Sequence, residues 1–307
     1  MSSKNWDIHH GDCIPHMAEE MEPNSVDMVV CSVPFPAMFA YTSDAADMGN
    51  TDQMGSEASV HFTFFYHALM RVMKPGRVAC IHVQQIPRMK RCGCVGLCDF
   101  RGIMIRLGER AGMVYEYDWL IRRNPQAQAL RTRSRELQFA GLEADRAKTR
   151  GTLCDYIIKF RAPGENTTPI RSPNQVSRNQ WIDWAEGAWF DINETKTLNV
   201  KEGKGEDDTK HICPLQLQTI ERCVRLFSDP DEMVFSPFTG IGSEGYMALK
   251  LGRRFYGCEI KDEYIKAARA NLKRMESIIE SEKQNSLFGD DDEPEESETE
   301  VVDETLV

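Results

Sequence analysis

The chain has 307 residues, of which 41% are apolar and 28% charged, with a formal net charge of −11 at pH 7. That length carries one large or two modest soluble domains. No apolar run reaches the ~18 residues of a membrane span, and Met1-Ser-Ser-Lys-Asn-Trp-Asp7 lacks a signal-peptide core, so a cytoplasmic setting with reduced thiols is expected.

Trp6 to His10 alternates and predicts a strand. Gly11-Asp12 opens a helix reaching about Met21, which Asp12 can cap. Val26 to Cys31 reads as a strand buried on both faces. It runs into Ser32-Val33-Pro34-Phe35-Pro36, where two prolines force the chain out of the sheet. A small hydroxyl and an aromatic ring are thus presented at a strand's carboxyl end, where open α/β sheets place their chemistry. The plainer reading of that stretch is a proline-stiffened turn with Phe35 packed inward.

Phe62 to Met73 predicts a helix stopped by Lys74-Pro-Gly76, followed by a strand from Arg77 to Val83. Cys92-x-Cys94-x3-Cys98 has no second ligand pair nearby, and no metal site is expected there. A helix over Phe100–Arg110 and a strand over Met113–Ile121 continue the alternation, which implies an α/β fold with a mostly parallel sheet covered by helices.

From Trp119 to Arg161 there are ten basic residues against four acidic ones. Arg122, Arg123, Arg131, Arg133 and Arg135 are the candidates for phosphate contacts. The amides of Asn124-Pro-Gln-Ala-Gln128 could read base edges. Trp181, Trp184 and Trp189 share the spacing of one helix face, which suggests core packing or a lid. His211-Ile-Cys-Pro-Leu-Gln-Leu217 starts a helix reaching about Leu226.

Met233 to Phe235 then predicts a short buried strand, followed by a glycine loop and a helix from Tyr246 to Leu251. Gly240-x-Gly242-x-x-Gly245 lets backbone approach a ligand and points free N–H groups at it. A second strand, Arg254 to Cys258, ends at Glu259, placed to hold ribose hydroxyls. The loop fits both a nicotinamide dinucleotide and S-adenosylmethionine. The last stretch, 284–307, holds ten acidic residues and no Lys or Arg, so it is expected to be disordered. Without those ten charges the net value is −11 + 10 = −1.

In this order, Ser32-Val-Pro-Phe35, His211-Ile-Cys-Pro-Leu-Gln and Ser236-Pro-Phe-Thr-Gly-Ile-Gly242 with Glu259 resemble the DNA amino-methyltransferases of cytosine N4 and adenine N6. They look like the permuted group in which the catalytic motif precedes the cofactor motif, and the whole looks like a phage or prophage enzyme. The resemblance implies a Rossmann-like S-adenosylmethionine-dependent methyltransferase fold over 1–283, with a target-recognition insert within 119–210 and the acidic tail beyond.

By position, the Ser32 hydroxyl and Val33 carbonyl would accept from the target amine, Phe35 would stack on the flipped base and Pro34 would stiffen the loop. Phe238, Gly240, Gly242 and Ser243 would surround the methionine and sugar of the cofactor. Glu259 would bind the ribose, Asp12 would lie near the adenine, and His211 to Pro214 would close the pocket. Two departures stand out: the family usually has proline at the position of Val33 and aspartate at that of Ser236. Double-stranded DNA is the implied partner, with the enzyme a monomer or homodimer. A serine at 32 leans towards cytosine N4. The alternatives are a non-catalytic DNA-binding relative and a nucleotide-dependent oxidoreductase.

Overall fold

Trp6–His10 (β1) buries only part of its length, as an edge strand does, whereas Val26–Ser32 (β2) is buried along six of its seven residues. In the computed structural model, which describes residues 5–36, 38, 42, 44–51, 57–88, 96–132, 141–143, 145–198 and 214–288, β2 lies inside an eight-stranded sheet. Its other strands are Met73–Gln84 (β3), Val114–Ile121 (β6), Asp155–Arg161 (β7), Ala188–Trp189 (β8), Met233–Ser236 (β9) and Arg254–Glu259 (β10). Ile86–Arg88 (β4) and Gly96–Cys98 (β5) form a separate antiparallel pair. The strand order is β1-β10-β9-β2-β3-β7-β6-β8, with β7 antiparallel to both neighbours and the other pairs parallel.

The period-2 alternation of β2 sorts its side chains into two cores. Val29 and Cys31 join a cluster under Glu57–Val72 (α2) and Phe100–Arg110 (α3). Met28 and Val30 join one under Leu217–Phe227 (α6), Ser243–Lys250 (α7) and Asp262–Phe288 (α8). Two short pieces, Cys13–Pro15 (α1) and a π-helical turn over His16–Glu20, follow β1. Pro125–Thr132 (α4) and Arg178–Trp184 (α5) complete the helices used below.

The chain leaves β2 through α2 to reach β3 on one side, and leaves β9 through α7 to reach β10 on the other. Since β2 and β9 are neighbours, their carboxyl ends diverge and open a crevice at a topological switch point.

Several expectations shift. The helix α2 starts at Glu57 rather than Phe62, and β3 starts at Met73, absorbing Lys74-Pro-Gly76 where its register with β2 is irregular. The glycine-loop helix begins at Ser243, three residues earlier than the apolar run suggests. Trp181 and Trp184 lie on α5, but Trp189 lies on β8 and stacks on Trp119, so the three do not share a helix. The terminal helix α8 runs to Phe288, so 284–288 are helical rather than part of a disordered tail; 289–307 lie outside the described residues.

Not all of the range 119–210 stands outside the sheet. Strand β7 sits inside it and pairs on both sides within the sheet. Residues 122–154 follow the carboxyl end of β6. The loop after β7 lies at the opposite edge, where Gly76 N–H donates to the Ala162 carbonyl and Asp229 accepts from the N–H groups of Arg171 and Ser172.

Candidate active site and cofactor cleft

The crevice at the switch point is an open cleft with a cavity volume of about 140 Å³. It is lined by Asp12, Ser32, Val33, Pro34, Phe35, Pro214, Phe238, Gly240, Ser243 and Glu259, among others. Ten of the twelve residues expected at the catalytic and cofactor positions therefore meet in one place. Gly242 is not in the lining, though its neighbours Ile241 and Ser243 are, and His211 lies outside the described residues.

Three glycines do three jobs. Gly240 has φ 53° and nothing within 4 Å of where a Cβ would stand, so backbone is open towards the cleft. Gly242, at φ 88°, is the N-cap of α7 and packs against Ala268 of α8. Gly245 is needed for packing: a Cβ there would come within 2.6 Å of Phe255. Thr239 N–H donates to the Cys258 carbonyl, tying the loop to β10.

Glu259 anchors the other wall. One carboxylate oxygen accepts from Gly240 N–H at 2.7 Å, and the other from Ile260 at 3.0 Å and Lys261 at 2.9 Å. A carboxylate has about four acceptor sites, so capacity for a ligand hydroxyl remains. Burial pushes its pKa up, the three N–H groups pull the other way, and nearby Asp47 pushes up again. Asp12 caps α1, as expected, by accepting from Ile14 N–H at 2.9 Å, and it also lines the cleft. The buried hydroxyls of Ser236 and Ser243 have no hydrogen-bond partner. Orphaned polar atoms, an open glycine and a partly unused carboxylate beside an apolar wall suit an adenosine-bearing ligand.

Sequence reading missed Glu244 and Asp47, both of which line the cleft. Glu244 is buried in the first turn of α7, and burial, with Glu259 nearby, pushes its carboxyl up to about 8 despite its own backbone N–H. A glutamate inside a glycine loop is a signal that could have been noticed. Asp47 accepts from Thr42 N–H at 2.8 Å and Gly49 N–H at 2.9 Å, holding the loop after β2 against the cleft.

The Ser32 loop stands on the opposite wall. The Ser32 hydroxyl lies 2.8 Å from His82 Nδ1. His82 Nε2 lies 3.0 Å from Asp155 Oδ2. Asp155 also accepts from Gln84 Nε2 at 2.9 Å and from the Arg123 guanidinium. Phe35 is 9% exposed and packs edge-on to His82 at 5.9 Å and Phe100 at 6.2 Å. Most of its ring is therefore in the core, as the plainer reading expected, and only what faces the cleft is free to meet a ligand.

The arginines divide. Arg122 is exposed and lines a second hollow with Asn124, Phe190 and Asn193, where Phe190 is 63% exposed. Arg123 is not a surface phosphate contact: its guanidinium is drawn inward to Asp155 and lies 3.6 Å from Glu194. Lys159 and Arg161 pair with Glu116 on the neighbouring strand. Arg131 lies on α4, while Arg133 and Arg135 lie outside the described residues.

His9, His16 and Glu20 form the one group of metal-capable ligands among the described residues. Both nitrogens of His16 are already engaged, by Glu20 at 3.0 Å and the Tyr256 hydroxyl at 2.7 Å. Cys98 is buried and unbonded; Cys92 and Cys94 lie outside the described residues. No helix among the described residues is long and apolar enough to cross a membrane.

The family model described as "DNA methylase", of the N6/N4 methyltransferase type, matches residues 26–270. A Type II methyltransferase, M1.MboII of Moraxella bovis, is 39% identical over 66 residues, covering 22% of this chain and 25% of that protein. M.BglII of Bacillus subtilis is 40% identical over 63 residues, covering 20% of this chain and 18% of that protein. The matched segments thus span a quarter or less of these curated relatives. Among solved structures, TTHA0409 of Thermus thermophilus, described as a putative DNA modification methylase, superposes with a TM-score of 0.64 at 18% identity, over 87% of this chain and 94% of the other. The PvuII DNA methyltransferase, cytosine-N4-specific, superposes with a TM-score of 0.62 at 16% identity, over 94% and 95%. These likenesses are of fold.

Proposed function

The chain belongs to the DNA methylase family of N6/N4 type, and from that premise we propose that it methylates an exocyclic amino group of a base flipped out of double-stranded DNA. The observation that carries this reading is convergence: the Ser32-Val-Pro-Phe35 loop and the glycine loop with Glu259 line one cleft from opposite walls. S-adenosylmethionine is the proposed donor; a solved relative, TTHA0409, is complexed with it. When bound, it supplies an electrophilic methyl group on a sulfonium. Family membership sets aside the oxidoreductase alternative.

In this reading Glu259 accepts from the ribose through its unused lone pair, while the open backbone at Gly240 lets the cofactor come close and the hydroxyl of Ser243 binds it. Asp12 stands towards the adenine. Ser32 Oγ and the Val33 carbonyl accept the two amine hydrogens, drawing the nitrogen lone pair out of conjugation and aiming it across the cleft. The transfer then proceeds mainly by positioning and electrostatics. Pro34 keeps the loop stiff, and the cleft-facing part of Phe35 contacts the base.

Target recognition falls to segments leaving the carboxyl edge. Residues 122–154 carry eight basic against three acidic residues, Arg122 and Arg131 to Arg135 among them. Serine at 32 favours cytosine N4. The test is incubation with DNA and S-adenosylmethionine followed by nucleoside mass spectrometry. N4-methylcytosine is expected; N6-methyladenine would keep the reaction and overturn the base. No methylated base from a protein that binds the cofactor would favour a non-catalytic DNA-binding relative.

A further inference from the structure

We propose that His82 and Asp155 form, with Ser32, a proton relay that takes up the proton released by the target amine. This rests on the reading of Ser32 given above. Attack by a neutral amine breaks the carbon–sulfur bond and forms a carbon–nitrogen bond. The sulfonium leaves as a neutral thioether, and the nitrogen carries one proton too many. Positive charge builds on that nitrogen as the bond forms, so an acceptor beside it acts in the transition state as well as after it.

A serine hydroxyl alone cannot keep that proton. Here it does not have to. Ser32 and His82 are register partners on β2 and β3, with Oγ and Nδ1 2.8 Å apart. His82 is 6% exposed, and its other nitrogen lies 3.0 Å from Asp155, which is 1% exposed. Burial alone would raise the Asp155 carboxyl. The nearby His82 ring and its charge, with the Arg123 guanidinium, outweigh it and hold the carboxyl below the usual range. An ionised Asp155 3.0 Å from Nε2 favours the proton on that nitrogen by its charge, although Nε2 is not aligned for a hydrogen bond to it, and this leaves the Nδ1 lone pair for the Ser32 hydroxyl proton. The lone pairs of Oγ then face the cleft. As Ser32 accepts the amine proton it passes its own to Nδ1, giving an imidazolium between Ser32 and Asp155.

The topology explains why the acid comes from so far along the chain. Strand β7 is the reversed strand, so its first residue, Asp155, arrives at the carboxyl edge next to Gln84 of β3. The charged groups around His82 are Asp155 on β7 and Arg123 after β6, with Glu194 behind Arg123. A purely structural histidine would hold the loop equally well but would have no effect on how rate varies with pH.

The experiment uses the full chain and S-adenosylmethionine with DNA in single-turnover assays across pH. His82→Asn keeps an acceptor for the Ser32 hydroxyl but cannot take its proton. The expected result is a rate about 100-fold or more lower and loss of the acidic limb of the pH profile, with cofactor and DNA affinities within about twofold. Independently, nitrogen NMR of labelled histidine in the unliganded protein should show His82 protonated on Nε2, and Asp155→Asn should abolish that preference. An unchanged rate and pH profile in His82→Asn, or an Nδ1–H form in the parent protein, would overturn the relay alone. Absence of methyl transfer by the parent protein would overturn the reading of Ser32, and the relay with it.

Discussion

The two edges of the sheet use charge in opposite ways. At the amino edge, Arg77 is buried and fully used: Nε donates to the Asp27 carbonyl at 2.7 Å, one terminal nitrogen to Thr168 at 3.1 Å, and the other pairs with Glu232. Arg253 donates to the Ser228 carbonyl at 2.6 Å and to Gln175 Oε1 at 2.7 Å, and burial lowers its pKa to about 10. Asp27 accepts from Lys74 and from Met233 N–H. At the carboxyl edge the hydroxyls of Ser236 and Ser243 have no partner, and burial raises the carboxyls of Glu244 and Glu259. Buried polar groups that are satisfied hold a fold together; those left unsatisfied cost stability and mark where a ligand completes the network.

Substitutions at the two edges should therefore fail in different assays. The largest effect is expected for Arg77→Met, which strands Glu232 in the interior and should cost about 3–5 kcal/mol of stability in urea denaturation. The cofactor affinity of the folded fraction should not change; a large change would break the separation between edges. Ser32→Ala should do the reverse, lowering the single-turnover rate at least ~100-fold, about 3 kcal/mol, with a melting temperature close to that of the parent.

Glu244 links stability to pH. Its carboxyl titrates near 4.5 when unfolded and about 8 when folded. Between those values the folded protein holds the proton more tightly, so stability falls as pH rises through this window and levels off above about 8. Glu244→Gln should remove most of a decline of ~2 kcal/mol between pH 6 and 8, read from thermal melts in that range. A parent protein with no such slope would mean that this carboxyl is better satisfied than its burial implies. The smallest effect is expected for Glu259→Gln, which keeps the side chain's shape but removes its charge. It should weaken S-adenosylmethionine binding about tenfold, about 1.4 kcal/mol, by calorimetry.

Much of the site was legible along the chain because its parts are local. The departure of Ser32-Val-Pro-Phe35 from the sheet follows from two prolines after an apolar run. The left-handed backbone at Gly240 and Gly242 follows from residues that can adopt it, and Glu259 follows at a fixed strand's distance. That both loops meet in one cleft is a consequence of strand order, which family resemblance implied and local patterning alone did not.

The rest depended on contacts between distant segments. Ser32 and His82 are 50 residues apart, and Gln84 and Asp155 are 71 apart; they meet because β2, β3 and β7 lie side by side. Arg123 sits in a basic run that reads as a surface, yet a buried aspartate from the reversed strand turns it inward. The insert expected within 119–210 has no bounds legible in the sequence; β7 inside that stretch belongs to the sheet and sends its two flanks to opposite edges. Sequence by itself determined the local conformations, because φ preference, chain stiffness and hydrophobic period act between neighbours. Only the tertiary structure decided which charges are buried together, because burial and pairing are set by residues that arrive from elsewhere in the chain.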